Sequence, residues 1–98
     1  MRVYLGLSAD ELTALSAGES VTPAEAYLAA STDEEDELAA LEEAAEHGVV
    51  AAAAEVDDPD GPVALVDIAS LHVDIDDSGD LAWFATQEIA AVIELVRS

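Results

Sequence analysis

From residue 38 to residue 56 the apolar positions fall at steps of three and four. Leu38, Leu41, Ala45, Val49, Ala52 and Val56 form one stripe, which is the period of a helix face. Glu35, Glu42, Glu43 and Glu46 occupy the other side. The pattern predicts one long helix from Ser31 to Val56, with leucines buried on a sheet and carboxylates turned to water. Ser31 and Thr32 are both candidate caps, since Glu34 and Glu35 each follow three residues later. Gly48 interrupts the run at a cost of about 1 kcal/mol relative to alanine. The alternative ends the helix at His47, caps it with Gly48 and makes 49–56 a strand. The continuous helix is preferred because the stripe keeps its phase across Gly48.

The rest of the chain alternates or clusters on a shorter scale. Val3, Leu5 and Leu7 alternate with Arg2, Tyr4 and Gly6, which predicts an N-terminal strand. Ser8 with Glu11 is a capping box for a short helix that Gly18 ends. Thr22, Pro23 and Glu25 repeat that signal for a second short helix reaching Ser31. DDPDGP at 57–62 is a turn. Val63 to Ile68 reads as a buried strand that resumes through Leu71, Val73 and Ile75. The acidic segment 76–80 is a hairpin turn, and Leu81 to Ala85 is the next strand. Thr86 caps a helical turn, and Val92 to Val96 closes the sheet as a last strand; a helix from Thr86 to Val96 is the alternative.

Together these elements predict one α+β domain spanning 1–98. It has a small mixed or antiparallel sheet of three to four strands, covered on one face by one long and two short helices. The N-terminal strand is expected inside the sheet, because its partners come much later in the chain.

Charge changes the picture more than composition does. The 98 residues carry 23 acids, two bases (Arg2 and Arg97) and no lysine, for a net charge of −21. That repels copies of the chain from one another. It argues against nucleic acid as a direct partner, since binding there needs cations to replace counterions, and against anionic membranes. A partner, if there is one, is a basic protein. A proteome-wide acidic bias accounts for the same charge without any partner. The 52% hydrophobic content argues for a folded chain. Much of it is alanine, so the core rests on leucine, valine and isoleucine. There is no cysteine, hence no disulfide, thiol nucleophile or cysteine metal site. No apolar stretch reaches 18 residues. The start MRVYLGLSADE turns acidic by Asp10 and does not read as a signal peptide, so the expected compartment is the cytoplasm.

MRVYL at 1–5, VTPA at 21–24, the acid-to-alanine run, DDPDGPVALVDI at 57–68 and EIAAVIEL at 88–95 follow in a familiar order. That order resembles a family of small actinobacterial proteins with no assigned activity. Its members typically start MRVYLP and carry a VTPA helix followed by an acidic, alanine-rich helix. Here Gly6 stands where proline is usual, and AEAYLAAS at 24–31 replaces a stretch richer in arginine and aromatics. The resemblance implies an order of elements and nothing chemical.

Candidate chemistry is sparse. Asp74, Asp76, Ser78 and Gly79 have the D-x-D-x-S-G spacing that opens a calcium loop. The twelfth position, which needs a bidentate acid, is Ala85, and a hairpin turn explains the same residues. His47 and His72 are too few for a zinc site. No phosphate loop or nucleophile elbow occurs, so neither a cofactor nor an enzyme activity is expected. Trp83 and Phe84 are adjacent on a strand and point to opposite faces, which makes one of them a candidate hot spot. The acidic residues Asp33, Glu35, Asp36, Glu42, Glu43 and Glu46 form a candidate partner-binding ridge. Three readings follow: a non-enzymatic acidic protein that binds a basic partner, a DNA mimic that inhibits a DNA-binding protein or DNA repair enzyme, and a cation-responsive module at Asp74, Asp76 and Ser78.

Overall fold

A computed structural model describes every residue except Ala24, Glu25, Asp77, Gly79 and Ser98. The cap assigned to Glu25 and the turn glycine Gly79 therefore lie outside the described residues. The chain runs β1 (Arg2–Leu7), α1 (Ala9–Ser16), α2 (Glu34–Ala45), β2 (Val50–Glu55), β3 (Ile68–Val73), β4 (Ala82–Phe84) and α3 (Ile89–Arg97), with single 3₁₀ turns at Leu65–Asp67 and Thr86–Glu88. The strands form one antiparallel sheet in the order β1-β2-β3-β4. This is an α+β fold with three helices.

The helices divide between the two faces instead of sharing one. Val3, Leu5 and Leu7 of β1, Val50, Ala52 and Ala54 of β2, and Leu71 and Val73 of β3 point to one side. There they pack with Leu12 and Leu15 of α1 and Ile89 and Val92 of α3. Tyr4, Ala51 and Ala53 point to the other side and meet Ala40, Leu41 and Ala44 of α2. Each fully buried leucine on the first side contributes roughly 1.5–3 kcal/mol. Strand alternation sorts the residues: odd positions of β1 go to the larger core and even ones to α2.

α1 forms as its signals dictate. Ser8 Oγ accepts from the Glu11 amide at 3.1 Å, and Glu11 Oε1 accepts from the Ser8 amide at 2.9 Å. Gly18 takes φ +89° past the helix end. The Glu19 and Gly18 amides then reach back to the Ala14 and Leu15 carbonyls, a Schellman closure.

The long helix does not cross Gly48. α2 ends at Ala45, and 50–55 is the second strand of the sheet. An alanine run satisfies a helical and a strand period equally well, and tertiary contact decides between them. The decisive contact is steric. A Cβ on Gly48 would lie 2.5 Å from the Leu7 amide nitrogen and 2.7 Å from the Gly6 carbonyl carbon. A Cβ on Gly6 would lie 2.9 Å from the His47 carbonyl carbon, and closer still to the Ala44 carbonyl oxygen. The end of α2 thus rests backbone to backbone on β1, and the chain turns directly into β2.

Five other expectations are corrected. Among the described residues between Thr22 and Ser31 there is no helix. Among the described residues of that segment, Tyr27 instead makes an isolated bridge to Tyr4, donating and accepting at 2.9 and 2.8 Å. β1 consequently lies at the edge of the sheet, because its outer side is taken by that single bridge. Val63 to Ile68 is not a strand. Val63 bridges Val21, and Asp67 Oδ2 accepts from the Ala64 amide at 3.0 Å to close a 3₁₀ turn, which leaves Val66 exposed. Residues 92–96 belong to α3: Ile89, Val92, Ile93 and Val96 pack on the larger core at helical spacing. Thr86 does not cap that helix, since its Oγ1 donates to the Ile68 carbonyl at 2.7 Å.

Gly48→Ala and Gly6→Ala are each expected to cost about 2 kcal/mol or more by forcing apart packed backbone. Gly61→Ala, whose Cβ would make contacts no closer than 3.4 Å, should stay within about 0.5 kcal/mol of wild type. Urea unfolding of the three variants checks this. Equal midpoints for all three would remove the close-approach explanation.

Candidate functional site

α2 sets the most acidic surface. Its first turn is Glu34, Glu35, Asp36 and Glu37, and no base balances its last turn. The expected caps act differently from the sequence reading. Asp33 is the N-cap residue, without a side-chain cap bond. Ser31 Oγ instead accepts from the Asp33 amide at 3.1 Å and donates to Asp36 Oδ2 at 2.6 Å.

The ridge resolves into parts. At about 100° per residue, Glu35, Glu42 and Glu46 fall within roughly 40° of one another, on the side away from the sheet. They span about 16 Å along the axis, with Glu43 beside them. All four are exposed, and none forms an ion pair among the described residues. Asp36 is half-buried and turned to Ser31, while Asp33 sits at the helix entrance. Both ion pairs among the described residues end instead on Glu55: Arg2 Nε at 2.7 Å and the Met1 amino group at 3.7 Å. The hydrogen bond from Arg2 lowers the Glu55 pKa, and the same bond raises that of Arg2. One of the two arginines is thereby engaged at the start of β1, where it lines a groove with Tyr4 and with Glu37 of α2.

On the α2 side of the sheet the covering is incomplete. α2 lies over β1 and β2. Cross-strand partners share a face, so Ala51, His72 and Trp83 form one row across β2, β3 and β4. Trp83, at the end of that row, is 63% exposed. Phe84 points the other way and packs against the larger core. The two aromatics therefore separate as strand geometry requires, with Trp83 as the exposed one. His72 is half-buried, and its Nε2 lies 2.8 Å from Ser70 Oγ. Burial lowers its pKa. His47 is exposed and stacks on Tyr27 with ring centroids 5.5 Å apart, a contact no spacing in the sequence announces.

The candidate cation loop is built as a turn. Asp74 Oδ1 and Asp76 Oδ1 both accept from the Ser78 amide, at 3.1 and 3.3 Å, and Ser78 Oγ accepts from the Asp80 amide at 3.3 Å. The bonds from Ser78 lower the Asp76 pKa. Among the described residues no group of three or more histidines and carboxylates is placed to hold a metal. Two open grooves lie elsewhere. One of about 680 Å³ is lined by Ser16, Ala90, Ile93, Glu94 and Arg97. The other, of about 480 Å³, has Val49, Val73, Ile75 and Leu95 on its walls. No helix among the described residues is long and apolar enough to cross a membrane.

Compared with protein-family models, with curated proteins and with solved structures, the chain matches none.

His72 gives a pH dependence with a definite sign. Its folded pKa lies below its unfolded value, so its contribution is fully present above about pH 6.5 and is lost as the pH falls through the folded value. Wild type should lose more stability than His72→Gln between about pH 7.5 and 5.5. Urea midpoints at the two pH values measure this, and parallel losses would show that His72 is as well solvated folded as unfolded.

Proposed function

We propose that the protein is a non-enzymatic binding module for a basic partner protein. The observation that carries this reading is the row Glu35, Glu42 and Glu46. It lies on the outer side of a packed helix, exposed and without a cation among the described residues. Its like charges repel along the helix, so a basic surface laid against it relieves a cost that the fold itself bears. Opposite charge speeds such an encounter and makes it salt-sensitive. Trp83 supplies a large apolar side chain outside the core, the residue type that dominates interface energetics.

The DNA-mimic reading draws on the same carboxylates and needs two rows at phosphate-like spacing. α2 supplies a single row about 16 Å long, which favours the basic-partner reading.

The test compares proteins retained from a lysate by wild type, by Glu35→Gln/Glu42→Gln/Glu46→Gln, and by Asp10→Asn/Glu19→Gln/Glu94→Gln, which loses equal charge elsewhere. A stoichiometric basic protein held at about 50 mM salt and released by about 0.5 M is expected on wild type and on the second variant, and lost from the first. Equal retention by both variants would reduce the ridge to net charge. A captured protein that DNA displaces would favour mimicry.

A further inference from the structure

We propose that the free edge of β4 is a strand-addition site for an extended, basic segment of the partner. The inference rests on the basic-partner reading and adds where and in what conformation the partner docks.

The hydrogen-bond phase of the sheet fixes what β4 offers. The Tyr4 amide and carbonyl both point outward to Tyr27, so Tyr4 and Ala53 are a non-hydrogen-bonded pair. Ala53 then turns its backbone groups to Ser70, and Ala52 turns its own back to Leu5. Continuing the alternation, His72 bonds toward Ala51, while Leu71 and Val73 bond toward Phe84 and Ala82. Trp83 is left with its N–H and C=O directed away from the sheet. β4 is the last strand in the order, and no hydrogen bond to those two groups occurs among the described residues. A strand laid antiparallel against β4 would exchange both bonds with Trp83, beside the exposed indole.

Charge selects the occupant. Natural sheets guard such edges with lysine, with proline or by keeping the edge strand very short, and β4 has only the last of these. β4 is Ala-Trp-Phe, and the chain has no lysine. Asp74, Asp76 and Asp80 precede the strand and Glu88 follows it. Glu88 Oε2 accepts from the Ala85 amide at 2.8 Å, which holds its carboxylate at the strand's end. Acids at both ends oppose pairing with a second copy, which carries the same −21 charge, and favour a segment with lysine or arginine flanking an alternating apolar centre.

Trp83 is the sole tryptophan, so its fluorescence reports on this edge directly. The probe is a short Lys-Val-Thr-Val-Lys peptide, compared with the same peptide N-methylated at every central amide. The unmodified peptide should shift Trp83 emission to the blue and slow exchange of the Trp83 amide. The methylated one should bind about tenfold more weakly for want of two backbone bonds. Equal affinity of both, with the largest NMR shifts on α2, would overturn strand addition and leave the basic-partner reading standing. Binding of neither at about 20 mM salt would overturn strand addition, and the lysate comparison above decides the basic-partner reading by itself. A protein that sediments as a dimer at about 0.5 M salt, with the Trp83 amide protected, would make a second copy the occupant and overturn the inference.

Discussion

The contact on which the rest depends is backbone against backbone. The last turn of α2 and the residue after it lie on β1 with no room for a side chain at Gly6 or Gly48. That approach stops the helix, reverses the chain and delivers it into the sheet beside the strand it has just crossed. β2 is then buried on both faces, between α2 on one side and α1 and α3 on the other. Ala51 and Ala53 suit that place because a methyl group is all that fits beneath a helix held so close. The small residues that look featureless in sequence are thus the ones that set the spacing of the layers.

The surface follows from the same constraint. Because α2 is pinned over β1 and β2, its outer row of glutamates faces water along its length, while Trp83 at the β4 edge stays exposed on the same side of the sheet. The buried Ser70 and the half-buried His72 form a polar pair on that side, and the exposed Trp83 ends the row. An acidic helix row and an uncovered aromatic edge therefore arise on one side of the molecule from one packing decision. Glu11, Asp67 and Glu88 turn their carboxylates to backbone amides and close local turns. Among the described residues Arg2 and the Met1 amino group both join Glu55, tying it to the start of β1.

Much of this was legible where local chemistry acts alone. Ser8 with Glu11 capped α1, Gly18 ended it, and the alternation of Val3, Leu5 and Leu7 made β1. Trp83 and Phe84 had to part, and they do. What was not legible depended on distant contacts. Nothing near Gly48 states that Leu7 will lie against it, so the phase of the stripe favoured a continuous helix. Tyr27 sits in a helix-like context, yet its amide finds Tyr4 across the sheet edge. Ile89, Val92, Ile93 and Val96 carried the helical period openly, and their β-branched character pulled the reading toward a strand. The acid ridge was visible as composition. Its division into a solvent-facing row and the Ser31–Asp36 hydrogen bond needed the helix boundaries first.

The break at Gly48 and the β-pairing it allows are tested most directly by proton NMR at one residue pair. Tyr4 and Ala53 oppose each other without hydrogen bonds, a geometry with Cα atoms about 4.5 Å apart. A strong cross-relaxation peak between their Hα protons is predicted. If Ala53 Hα shows no contact with Tyr4, and Val50 Hα instead contacts the Ala53 methyl as one helical turn requires, the helix runs through Gly48 and the account is wrong at its centre.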